Sequence, residues 1–265
     1  MRFGIFRERR RRRLRAQTVP AAWRAIISRN LPFFERLASP DQKELLEHVQ
    51  IFLSEKRFEG CAGLEVTDEM RITIATQACL LLLHRKTDYY PRLVTILIYP
   101  SGYVVNEERH LGGHVWENGP SGRLGETEGH MGSLVLAWDA AKSGAIDPSD
   151  GKNLVLHEFA HQLDFEDHIA DGVPTLRSRG DLSSWSEVMK MEFAALQAAD
   201  VTGISTLLDT YGASNAAEFF AVSTEAFFER PHALHRQHPR LYEELKRFYQ
   251  QDPASYSSEP TANPN

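Results

Sequence analysis

Apolar positions set the first elements. Over residues 16–59, Trp23, Ile26 and Ile27, then Leu45, Leu46, Val49, Phe52 and Leu53, recur three and four apart, the period of helices buried on one face. Ser39-Pro40-Asp41 supplies a helix start, with serine as cap and proline at the first helical position. Asp68 to Leu83 reads as a further helix, apolar enough to be largely buried. The period then shortens. Val94-Thr95-Ile96-Leu97-Ile98-Tyr99 is rich in β-branched residues, Pro100-Ser101-Gly102 breaks it, and Tyr103-Val104-Val105 resumes, which predicts strand, turn, strand. Residues 106–132 lose periodicity and read as a long loop with a strand around His114-Val115-Trp116. Ser133 to Trp138 reads as a strand and Asp139 to Gly144 as a short helix or turn. Helices are predicted from about Asp150 to Phe165, Ser183 to Ala199, Asn215 to Glu229 and Pro239 to Gln250, with a polar loop from Glu166 to Pro174.

Charge changes this picture at one end. The net charge is −6, yet the first fifteen residues carry Arg2, Arg7, Arg9 to Arg13 and Arg15 against Glu8 alone, so the remainder is clearly acidic. Such a run can touch RNA, an anionic membrane or an acidic partner, but like-charged blocks repel and stay open, so residues 1–15 are expected to be a solvated, disordered tail. Bulk nucleic-acid binding by the acidic remainder is disfavoured. No unbroken apolar stretch follows the arginines, because Arg24 and Arg29 interrupt it, and Ile72 to Leu83 is too short to span a bilayer. Cys61 and Cys79 form no C-x-x-C pattern and read as reduced thiols. The expectation is a cytoplasmic, soluble protein with no membrane partner.

The candidate chemistry lies in His157-Glu158-Phe159-Ala160-His161. On a helix, residues i and i+4 stand one above the other, so His157 and His161 present two imidazoles on one face. Glu158 is turned off that face and would reach a metal-bound water rather than the ion, the arrangement of H-E-x-x-H metallopeptidases. An amphipathic helix with two surface histidines is the bland alternative. A catalytic zinc needs a third protein ligand and one open position. Asp164 is near in sequence, but a straight helix projects all three side chains in a line, so it better suits a role in loop geometry or ligand orientation. Glu218 is flanked by Ala216-Ala217 and Phe219-Phe220-Ala221-Val222, where an unpaired carboxylate is costly. It is therefore favoured as ligand, although Asn215-x-x-Glu218 also has the form of a capping box. Glu225, two turns on, suits a partner that accepts an imidazole N–H. His110, His114 and His130 match no metal spacing, and His232, His235 and His238, between Pro231 and Pro239, read as solvent-exposed histidines.

Several separated motifs, in order, carry a family resemblance. They are His157 to Asp164, Ala170-Asp171-Gly172-Val173-Pro174, Glu218 to Phe228 and Phe248-Tyr249-Gln250-Gln251-Asp252-Pro253, with Tyr99-Pro100 and Leu134 to Trp138 also fitting. Together they resemble the Mlc titration factor A (MtfA) family from roughly Leu31 to Pro253. The resemblance implies a cytoplasmic bacterial zinc metallopeptidase of the gluzincin kind with aminopeptidase activity, and binding to Mlc, a transcriptional repressor. It implies one zinc per chain on His157, His161 and Glu218, with Glu158 as catalytic acid/base. Tyr211 to Ala221 is also similar to the matching part of the anthrax lethal factor catalytic domain, where a tyrosine seven residues before the ligand glutamate faces the substrate. By that likeness Tyr211 is a candidate to stabilise the oxyanion.

The fold class expected is α+β and zincin-like, mostly helical, with a small mixed sheet before the motif helix. The organisation expected is a disordered tail at 1–15, a helical region at 16–90, a catalytic region at 91–252 packed with it, and a disordered tail at 253–265. Peptide or protein is the expected substrate, with an endopeptidase left open beside the aminopeptidase. The competing reading is a non-catalytic regulator that sequesters a transcription factor and keeps zinc for structure.

Overall fold

The computed structural model describes residues 2–110, 116–123, 125–126 and 132–256; side chains are described outside 1–4 and 103–131. Chain order is α1 (Arg2–Arg15), α2 (Ala21–Asn30), α3 (Ser39–Glu55), β1 (Arg57–Gly60), α4 (Asp68–Leu80), β2 (Thr95–Tyr99), β3 (Tyr103–His110), β4 (Trp116–Arg123), β5 (Gly125–Glu126), β6 (Ser133–Ala137), α5 (Trp138–Ile146), α6 (Leu154–Asp164), α7 (Arg179–Thr202), α8 (Ala216–Glu229), α9 (Pro231–Gln237) and α10 (Pro239–Tyr249). The architecture is mostly helical α+β, as the periodicity predicts.

One sheet has the order β1-β2-β6-β5, with β1, β2 and β6 parallel and β5 antiparallel to β6. Ile96, Ile98, Leu134 and Leu136 alternate inward and are fully buried, the period-two signature of a half-covered sheet. β3 begins on the strand expected at Tyr103-Val104-Val105 and continues into the stretch read as a loop, where it pairs antiparallel with β4 as a separate ribbon. β5 covers Val135 and Leu136, forms the sheet edge there and lies against α6. β1 lies inside the stretch read as helical. Its parallel pairing with β2 carries the sheet across the boundary drawn at residue 90, and a single apolar core runs from Ile27 to Tyr249.

The arginine-rich start is not an open tail. It forms α1, and Arg11, only 4% exposed, donates to Glu55 and Asp88 at 2.7–2.8 Å and lies over the Tyr89 ring. A guanidinium meeting two carboxylates overcomes the repulsion that a charge count alone predicts. Of the far tail expected at 253–265, residues 253–256 are held, and 257–265 lie outside the described residues. Asp252 accepts from Lys246 at 2.7 Å and from the Tyr242 hydroxyl, and Pro253 is buried at the start of a short 3-10 turn. Ser39 is the first residue of α3 rather than its cap, which is Ala38.

Candidate active site

α6 is an 11-residue helix whose Val155, Phe159 and Leu163, spaced four apart, are at most 1% exposed. Phe159 meets Phe52 of α3 and Tyr90 with ring centroids 5.7 and 4.8 Å apart, which fixes α6 against the N-terminal helices. Asn153 caps it, its Oδ1 accepting the Leu156 N–H at 3.0 Å. α8 is seated by Phe220, packed on Trp185 of α7 and Phe248 of α10. Asn215 caps α8, accepting the Glu218 N–H at 3.0 Å. The capping pattern thus uses Glu218's backbone and leaves its carboxylate to face α6.

Where the two helices meet, three donor atoms converge. His157 Nε2 and Glu218 Oε2 are 3.0 Å apart, His161 Nε2 and His157 Nε2 3.2 Å, and His161 Nε2 and Glu218 Oε2 3.3 Å. Ligand atoms around a tetrahedral zinc with bonds of about 2.0–2.1 Å stand roughly 3.3 Å apart, so the donor set has the size and the N, N, O chemistry of a zinc site. Three lone-pair atoms that close to one another also require positive charge among them. Burial by itself would drive the proton off His157. The Glu218 and Glu225 carboxylates reverse that and raise it to about 10. Against the same burial, the two imidazoles hold Glu218 down to about 2. A cation and a proton compete for one strongly electronegative point.

The surrounding contacts fix these donors. Glu225 Oε1 lies 2.8 Å from His157 Nδ1, taking that N–H and leaving Nε2 for the centre. Its other oxygen accepts the Asn153 N–H. Asn153 Nδ2 donates to the Gly144 carbonyl and to Glu229 Oε1, at 3.1 and 3.0 Å. The α8 acids Glu218, Glu225 and Glu229 thus form one polar seam along α6. Glu229 Oε2 and Gln77 Oε1 have no protein partner among the described residues, and both line a cavity with Asn153, Leu156 and Phe228. Sequence reasoning missed Asn153 and Glu229. Their signals were available: an asparagine directly before an apolar run, and a glutamate four residues past Glu225.

Glu158 is 5% exposed on α6, and its carboxylate is among those whose negative charge acts on His157. Tyr211 sits on a 3-10 turn (Thr210–Ala213) capped by Asp209, which accepts the Tyr211 N–H at 3.0 Å and pairs with Lys152 at 3.2 Å. The tyrosine is 60% exposed, and its ring centroid is 6.1 Å from that of His157.

Asp164 lies outside the donor group. Its Oδ2 accepts the Gly172 N–H at 3.0 Å, so it sets loop geometry. Gly172 accepts at its carbonyl from Trp185 Nε1 at 3.0 Å, and its Cα lies so close to Ala216 that a Cβ would stand 2.4 Å from that carbonyl oxygen. One glycine thereby holds α6, α7 and α8 in fixed relation.

Asp41, Glu44 and His84 make a second cluster of possible ligands. There Nδ1 of His84 faces Glu44 at 3.1 Å and Nε2 faces Asp41 at 3.5 Å, so the imidazole bridges the two carboxylates directly. His235, stacked on Tyr242, is exposed as expected, whereas His232 and His238 are half-buried, with His238 Nδ1 2.8 Å from Glu192. His114 and His130, and the side chain of His110, lie outside the described residues.

The chain matches the profile of the glucose-regulated metallo-peptidase M90 family over residues 6–250. It is 40% identical over 245 residues to the uncharacterized protein slr2042 of Synechocystis, covering 92% of this chain and 89% of that one. It is 32% identical over 237 residues to Mlc titration factor A of Yersinia pestis, covering 88% of this chain and 85% of that protein. A profile match spanning nearly the whole described fold, with histidines and a glutamate converging at its centre, places the chain in the glucose-regulated metallo-peptidase M90 family.

Proposed function

We propose that the protein is a zinc-dependent peptidase of the gluzincin type, aminopeptidase-like, with His157, His161 and Glu218 as the metal ligands. The convergence of these three donor atoms within 3.0–3.3 Å carries the reading. When bound there, zinc supplies Lewis-acid polarisation of the substrate carbonyl and a more acidic water. Glu158 takes the proton of the attacking water and later delivers one to the leaving amine. The Tyr211 hydroxyl donates to the carbonyl oxygen as negative charge develops on it. Glu225 holds the His157 imidazole in the tautomer that directs Nε2 at the centre. Extended substrate lies along the sheet edge beside α6, adding a strand.

Glu158→Gln is expected to retain metal by elemental analysis and to slow hydrolysis of aminoacyl and peptide reporters by roughly 10²–10⁴-fold. A variant that keeps both metal and wild-type turnover overturns the acid/base assignment. The relatives named Mlc titration factor A support a second role, binding of a Mlc-type transcriptional repressor. If repressor binding persists after chelation and in Glu158→Gln, regulation is separable from hydrolysis. If no reporter is hydrolysed while binding holds, the non-catalytic regulator is the correct reading.

A further inference from the structure

α1 is a docked helix with one face left over. Arg2–Arg15 holds eight arginines and one glutamate in a chain whose net charge is −6, so strong positive charge is gathered on one element of an acidic protein. Arg11 is buried on Glu55 and Asp88, Leu14 packs against the core, and Arg7 and Arg15 pair with Asp88 and Glu8. These contacts use the inner face. On the outer face Arg9, Arg10, Arg12 and Arg13 are exposed, and none meets a carboxylate among the described residues; Arg10 reaches only the Ser54 carbonyl. At the first turns of the same face Ile5 and Phe6 are 56% and 65% exposed. Positions 5, 6, 9, 10, 12 and 13 are contiguous at helical spacing.

We propose that this face of α1 binds anionic phospholipid surfaces, laying the helix along the membrane plane with Arg9, Arg10, Arg12 and Arg13 at the headgroups and Ile5 and Phe6 in the acyl boundary. Two observations favour a bilayer over another polyanion. A basic helix with adjacent exposed apolar side chains is the chemistry of interfacial helices, in which burial of apolar surface adds to charge attraction. The rest of the chain is acidic, which opposes a nucleic acid wrapping the protein but not a flat surface touching one helix. The Arg11 anchor makes α1 rigidly continuous with the catalytic fold, so contact would dock the whole peptidase at the membrane.

The test is co-sedimentation of the full-length protein with phosphatidylcholine vesicles, with and without phosphatidylserine, and a parallel titration with single-stranded RNA. The protein is expected to sediment only with phosphatidylserine, with affinity falling roughly fivefold for each outer arginine replaced by glutamine. Ile5→Ser with Phe6→Ser should also weaken vesicle binding while leaving its salt dependence unchanged. Arg11 is retained in every variant, and far-ultraviolet circular dichroism reports whether α1 stays folded. Wild-type protein that fails to sediment with phosphatidylserine overturns the proposal. So does RNA binding tighter than vesicle binding, or vesicle binding indifferent to Ile5 and Phe6. None of these outcomes depends on the metal site or on peptide turnover.

Discussion

Gly172 has φ +74, a left-handed conformation that side chains other than glycine rarely adopt, and its Cα faces the Ala216 carbonyl. Gly172→Ala therefore meets strain and a clash with backbone together. It is expected to destabilise the fold by about 1–3 kcal/mol, read from urea unfolding, and to lower hydrolysis more than stability because α6 and α8 move apart. Glu229 gives a pH signature. Burial, with nearby acids adding to it, raises its carboxyl from 4.5 to about 9, so the folded state binds a proton that the unfolded chain releases near 4.5. Stability from this group is complete below about 4.5 and is lost as pH rises through that window, on the order of 3 kcal/mol by pH 7. Glu229→Gln keeps an acceptor for Asn153 and should flatten the dependence, gaining stability relative to wild type toward pH 9 in denaturation measured across the window. At this scale the two imidazoles were legible because spacing of four fixes a shared face, and Glu218 because a charge amid phenylalanines needs a reason. Gly172 was not, since its role depends on three elements meeting.

Among elements, helices with one-sided apolar spacing appear where periodicity places them: α3, α4, α7, α8 and α10 match within a few residues. The departures have physical causes. The motif helix starts at Leu154 rather than near Asp150, since Asn153 turns its side chain back to the Leu156 N–H. β1 is too short and too exposed to alternate, and only its partner β2 defines it. α9 is hidden by Pro231 at its start and Pro239 after it, although Pro231 falls in its first turn, where a missing N–H costs nothing. α1 was obscured because its charge repulsion is local and visible, whereas the acids that offset it are 44 and 77 residues away. The His157, His161 and Glu218 cluster implies a further element-scale response. Because these donors come from helices more than fifty residues apart, a metal bound there would act as a cross-link between α6 and α8. Chelation is expected to lower the melting temperature, and zinc at about a hundred times its dissociation constant to restore about 2.7 kcal/mol, by calorimetry with and without added zinc. An unchanged melting temperature would argue that no ion is held there.

Across the whole molecule, the N-terminal helices and the site-bearing region share a core, with Phe52 and Tyr90 against Phe159 and the β1 strand on the flank of β2. This joint has a practical consequence for truncation. A fragment containing only residues 91–252 would strip β1 away and leave the β2 backbone groups along Thr95–Ile98 unsatisfied beside a bared Phe159. Such an open, apolar margin invites edge-to-edge assembly. The fragment is expected to elute as polydisperse aggregates in size-exclusion chromatography under conditions where the full chain runs as a discrete species. Shortening the protein to its site-bearing region would thus create a sticky template rather than a minimal version of the fold.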